Sequence, residues 1–187
     1  MTAHQWLAAN LLNACPFPKN DSATSAWRTP ALFIKFFPYA VQERAAVEAE
    51  ISSASLHTQI IPALLMSGVD DGVLLIYPFV SGETLGVPEA REKFNALPLD
   101  ERRAALASVF AALAAITSAG WTLVDFYEGN LIYDFENKKP WLFDWDLCIK
   151  ADGFTLTTNR NWGSSRLMPR RSSKKAHALT ARPMSST

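Results

Sequence analysis

Residues 121–150 read WTLVDFYEGNLIYDFENKKPWLFDWDLCIK, and this stretch decides the fold. Leu131-Ile132-Tyr133-Asp134-Phe135 and Pro140-Trp141-Leu142-Phe143-Asp144 flank the polar turn Glu136-Asn137-Lys138-Lys139, a pattern that predicts a β-hairpin. Pairing Phe135 with Pro140 sets Leu131 opposite Asp144 and Asn130 opposite Trp145. Asn130 then lies between the diagonal neighbours Asp144 and Asp146, several ångströms away across the ladder. An amide oxygen converging with two carboxylates is a hard-oxygen set suited to Mg²⁺, which takes few protein ligands and keeps room for water and phosphate oxygens. Asp125 precedes Asn130 in the loop that enters the hairpin. Singly, these residues have duller roles: Asp144 and Asp146 end a strand, Asn130 turns the chain and Asp125 is solvated. Their joint spacing favours the cluster.

Working outward, Leu99 to Ala119 predicts a helix, with Asp100 as its cap and Gly120 just past its end. Leu106, Val109, Phe110, Leu113 and Ile116 recur at helical spacing and are expected to face a core. Ala31-Leu32-Phe33-Ile34-Lys35-Phe36-Phe37 reads as a strand apolar on both faces, and Val73 to Phe79 as another, ended by Ser81-Gly82. Lys35 is the anomaly. An ammonium in a buried strand is costly unless paired, and the helix expected over 41–56 offers Glu48 and Glu50. The alternative is a lysine that snorkels from a sheet edge. Residues 1–14 suit a short helix, and residues 16–30, rich in Pro, Ser, Asn and Asp, read as loop.

Length and composition bound the rest. The chain has 187 residues, 49% hydrophobic and 19% charged, which fits one domain with a real core and excludes a disordered or fibrous class. Net charge is zero, so nothing global points to nucleic acid or a membrane surface. The zero hides a split: residues 1–152 carry −7, and residues 153–187 carry +7 with no acid. Cys15 and Cys148 form no CxxC, and His4, His57 and His177 are scattered, so neither a disulfide framework nor a zinc site is expected. The apolar run Ala104 to Ile116 is too short to span a bilayer. Leu12-Asn13-Ala14-Cys15 has no preceding Lys or Arg to make it a lipoprotein signal. A soluble cytoplasmic protein is the expectation.

A lysine in a buried strand, a glutamate on the next helix, a long helix, D-x-x-x-x-N, a hairpin and then an aspartate form an ordered set. In that order they resemble the eukaryotic-like serine/threonine protein kinase fold. Trp162-Gly163-Ser164-Ser165-Arg166-Leu167-Met168-Pro169 resembles the end of an activation segment, and with VDFYEGN it is similar to bacterial serine/threonine-kinase-like proteins. The resemblance implies an α+β, two-lobed fold: residues 1–80 a small β-rich N-lobe, residues 81–169 a partial helical C-lobe, and residues 170–187 a tail. It implies ATP and Mg²⁺ as cofactors and a protein substrate or regulatory partner, with no nucleic acid and no membrane. Asp125 would take the proton of the attacking hydroxyl. Asn130 and Asp144 would hold Mg²⁺, with Asp146 a second candidate. Lys35 would contact the phosphates, held by Glu50 or, as the weaker choice, by Glu48. The Pro78 carbonyl and the Val80 N–H would meet adenine, and Tyr77 would line the back of its pocket.

The departures are as informative. No glycine precedes Gly68, so a G-x-G-x-x-G loop is missing. Leu123-Val124 stands in place of His-Arg, and Trp145-Asp146 in place of Phe-Gly. They raise two alternatives, a pseudokinase scaffold without turnover and a small-molecule kinase of aminoglycoside or choline type. After Pro169 the kinase-like pattern stops. Codon degeneracy allows residues 170–187 to be read one register over as PEEFKKGARIDGATDVFN, so the expectation is an out-of-frame, disordered tail and an activity impaired by truncation.

Overall fold

The computed structural model describes residues 1–18 and 24–151, together with the backbone of two short paired strands, Phe154–Thr155 and Ala178–Leu179. The expected activation-segment end and most of the 170–187 tail lie outside the described residues. The chain is α+β. Its first part is a five-stranded antiparallel sheet of order β1-β2-β3-β5-β4, formed by β1 (Cys15–Phe17), β2 (Ser25–Arg28), β3 (Leu32–Pro38), β4 (Leu65–Val69) and β5 (Gly72–Pro78). Strands β1 and β2 correct the expectation of loop over 16–30. They pair as an edge hairpin, with Trp27 buried opposite Ile34, so tertiary pairing overrides a polar, proline-bearing local sequence.

Strand alternation divides the β3 side chains between two cores. Ile34 faces outward with Trp27, Leu74 and Ile76, under Ala3 and Leu7 of helix α1 (Ala3–Asn10), which opens with a Thr2/Gln5 capping box. Phe37, opposite Val73 and two positions from Lys35, faces inward with Leu75, Tyr77 and Ala45 of helix α2 (Gln42–Ser53). The β4–β5 turn needs glycine: Gly72 has φ +158°, and a Cβ there would stand 2.1 Å from the Phe37 carbonyl oxygen.

The second part contains β6 (Glu83–Thr84), α3 (Pro88–Ala96), α4 (Leu99–Ser118), β7 (Trp121–Thr122), β8 (Leu131–Asp134), β9 (Lys139–Leu142) and β10 (Ile149–Lys150). Strands β6, β8 and β9 form one sheet, and β7 pairs with β10. Segment 59–61 crosses to this part and pins it: Leu142 N–H donates to Gln59 O at 2.8 Å and Ile61 N–H to Leu142 O at 3.0 Å. Among the described residues, no helix is long and apolar enough to cross a membrane.

Helix α4 corrects two expectations. Pro98, not Asp100, is the N-cap, and Asp100 sits in the first turn. The buried face is Ala105, Val109, Ala112 and Ile116, while Leu106 is 41% and Phe110 65% exposed. Between Ala104 and Ile116 only Ser108 is polar. Periodicity therefore cannot choose the inward side, and the stripe that faces in alternates small and large residues, Ala105 and Ala112 with Val109 and Ile116, where the β8–β9 hairpin packs. Replacing Phe110 by Glu is expected to lower dye binding to exposed apolar surface. Urea unfolding should place its stability within about 0.5 kcal/mol of the parent, because most of the side chain is exposed.

Candidate functional site: a buried lysine among three carboxylates

Lys35 sits at the centre of the five-stranded sheet, opposite Ala26 of β2 and Leu75 of β5. It is 3% exposed, which removes the snorkelling alternative. Its Nζ donates to Glu48 Oε2 at 2.6 Å and to Asp144 Oδ1, and lies 3.4 Å from Asp146 Oδ2. The ammonium also stands 4.7 Å from the Phe37 ring centroid. Burial alone would lower the lysine's pKa. Glu48, Asp144 and Asp146 outweigh it and hold the ammonium charged well above its usual range.

The helix partner is Glu48, and this corrects the preference for Glu50. Ala45, Glu48 and Ser52 lie on one face of α2 at helical spacing and are all buried. Glu50, two positions from Glu48, points away and pairs with Lys150 at 2.6 Å, where both side chains are about half exposed or more. Glu48 Oε1 accepts from the Tyr77 hydroxyl at 2.8 Å, so Tyr77 braces the glutamate as well as lining the sheet's inner face. Burial pushes Glu48 up from its ordinary value, with Lys35 pulling the other way, and pushes Tyr77 well above 10. Urea unfolding of Glu48→Ala should show a loss on the order of 3 kcal/mol, since it takes the most buried partner from a buried ion cluster. Glu50→Ala should lose no more than about 0.5 kcal/mol, as for any exposed pair.

Asp144 and Asp146 follow β9. The hairpin register differs from the expectation by two residues: Tyr133, not Phe135, pairs with Pro140, and Leu131 with Leu142. Asp134 shortens the ladder, because its carboxylate accepts from the N–H groups of Glu136 and Asn137 at 3.0 Å each and closes the turn early. A two-residue slip preserves facing within the ladder, while Asp144 and Asp146, past its end, meet at Lys35. Asp144 has φ +72°, the left-handed region that a non-glycine residue adopts at a cost. Trp145, between them, turns into the opposite core and stacks on Phe126, with centroids 6.2 Å apart and planes at 3°. Burial also raises Asp146, against the pull of Lys35. It pushes the Cys148 thiol up to about 12, with Asp146 adding to the effect, so that thiol stays protonated.

One carboxylate oxygen from each of Glu48, Asp144 and Asp146 lies within 4.8 Å of the other two. The expected partner, Asn130, is buried in the short helical turn Glu128–Asn130. Its Oδ1 accepts from Tyr127 N–H at 2.9 Å, and its backbone oxygen accepts from Phe143 N–H at 3.2 Å, next to Asp144. Glu48 is thus the third carboxylate of the cluster. Asp125 is half-buried in the loop leading to that turn. Pro78 and Val80 are half-buried around the end of β5, where Phe79 N–H donates to Ala31 O at 2.8 Å. Val80, like Ile132 and Phe143, packs against the cluster of Phe37, Leu75 and Tyr77. No family model matches this chain, and no curated protein matches it.

Proposed function

We propose that this chain is an ATP- and Mg²⁺-dependent phosphotransferase of protein-kinase type, with a two-lobed fold and a Ser/Thr hydroxyl as acceptor. The observation that carries the proposal is the buried Lys35–Glu48 pair joined to Asp144. A lysine on the third strand held by a glutamate on the next helix, beside an aspartate that follows the hairpin, is what this chemistry requires to be in place. Lys35 would meet the α- and β-phosphates. Asp144 and Asp146 would hold the metal, which when bound neutralises charge on the phosphates. The cluster's oxygens fit such an ion in type and roughly in span, since an octahedral Mg²⁺ shell measures about 4.2 Å across. Asp125 would take the hydroxyl proton as that oxygen bonds to the γ-phosphorus and the bond from phosphorus to the β–γ bridging oxygen breaks, with ADP leaving. Val80 and Pro78 would offer an N–H and a carbonyl to adenine, and Tyr77 would close the rear. A protein partner in the cytoplasm fits this reading.

The test is a thermal shift with Mg·ATP, followed by phosphate transfer with Asp125→Asn as control. At saturation near 100 times the dissociation constant, stability should rise by about 2.7 kcal/mol, and transfer should disappear in Asp125→Asn. No shift would remove the reading. The absence of glycine from the β1–β2 region favours a second reading, a nucleotide-binding scaffold, for which a shift without transfer is the signature. Transfer to a sugar or amine but not to protein would select a small-molecule kinase.

A further inference from the structure

We infer that Lys35 gates the carboxylate cluster: while its ammonium is seated there, no free divalent cation enters, and cation and polyphosphate bind only together. The inference rests on the phosphotransferase reading for its ligand but on the geometry for its mechanism. An ammonium has three donors, and three acids surround this one, Glu48 at 2.6 Å, Asp144 in direct contact and Asp146 at 3.4 Å. The cluster's cation position is therefore taken by the protein's own cation. A divalent ion coordinated by Asp144 and Asp146 would share their oxygens with the ammonium, like charge against like charge at about 4 Å with the lysine desolvated.

Lys35 cannot retreat by moving its backbone, which is laddered to strands on both sides. Its side chain can pivot about Glu48, which the Tyr77 hydroxyl holds at 2.8 Å, and release only the aspartates. A polyphosphate supplies what makes that release favourable: anionic oxygens that replace Asp144 at the ammonium and at the same time complete the cation's shell. Each ligand thus removes the obstacle to the other, a positive coupling that must be reciprocal.

The experiment titrates the chain with Mn²⁺ alone, without nucleotide, reading free Mn²⁺ by electron paramagnetic resonance and fold by circular dichroism. The parent chain should bind weakly. Lys35→Gln should bind about 100-fold more tightly, near the upper end of ordinary coupling between sites, and adding Asp144→Ala should abolish the gain. If Lys35→Gln is unfolded without metal, Mn²⁺-dependent recovery of its helical signal, repeated with Lys35→Met, supports the gate. Absence of recovery overturns it. Affinities within threefold of one another, or tight Mn²⁺ binding by the parent, also overturn it. Failure of Mg·ATP to stabilise or transfer would remove the phosphotransferase reading and leave the Mn²⁺ comparison standing. Equal Mn²⁺ affinities would do the reverse.

Discussion

Lys35→Met is expected to lose about 3–5 kcal/mol at pH 8, the cost of removing one partner from a buried ion cluster. Methionine fills the volume, so the loss reports charge rather than a cavity. Without the ammonium, Glu48, Asp144 and Asp146 face one another with only the Tyr77 hydroxyl on Glu48 and Arg44 near Asp146 to offset burial, which already pushes Glu48 and Asp146 upward. Their folded-state pKa values rise further above those of the unfolded chain. A carboxyl raised in the folded state favours folding where it is protonated and loses that contribution as pH climbs through the folded value. The variant should therefore recover much of its stability near pH 5. Urea unfolding at pH 5 and pH 8 checks both magnitude and sign. A loss that does not change with pH would mean that lysine's hydrocarbon stem, not its charge, matters there.

Asp134→Ala should cost on the order of 3 kcal/mol at neutral pH, because several hydrogen bonds to one ionised group disappear together. The carboxylate accepts from Ser81 Oγ at 2.5 Å, from Asn137 Nδ2 at 2.9 Å and from two turn N–H groups. It thereby ties the segment after β5 to the tip of the β8–β9 hairpin. The Asn137 side chain, then Ser81 and the turn N–H groups, lower its pKa from 3.8 to about 2. A depressed carboxyl contributes stability above its unfolded value and loses it as pH falls through the folded one. The parent and variant curves should thus be furthest apart above roughly pH 4 and converge towards pH 2. Acid titrations followed by circular dichroism would show it. Parallel curves over that range would assign the effect to packing.

The parts of the fold read correctly from sequence are those in which local pattern and burial agree. The central strand around Lys35, the strand ending at Pro78 and the long helix all appear, within a residue or two of the expected bounds. Misreadings have nameable causes. Strands β1 and β2 hide in a segment whose composition is that of a loop, because an edge hairpin borrows its stability from β3. Helix α4 is apolar nearly all round beyond its charged first turn, and packing against the hairpin selects the stripe Ala105, Val109, Ala112 and Ile116. The early turn at Asp134 depends on side-chain hydrogen bonds that period counting does not see.

The candidate site divides the same way. The anomaly of a charged residue in an apolar strand was legible, because burial of an ammonium demands a partner whatever the fold. Two aspartates flanking a tryptophan after a hairpin were legible as a pair, but that they share a side depends on the left-handed backbone of Asp144, which the pattern of residues does not announce. Which glutamate answers Lys35 was not legible. Glu48 and Glu50 stand on the same helix, and only the angle at which α2 lies against the sheet turns the face of Ala45, Glu48 and Ser52 inward and sends Glu50 to Lys150. Nor could the sequence show that Asp144 reaches across 109 positions to that lysine, or that Tyr77 braces its glutamate. Local chemistry states which charges need company. Only the packing of one half of the chain on the other decides which company they keep.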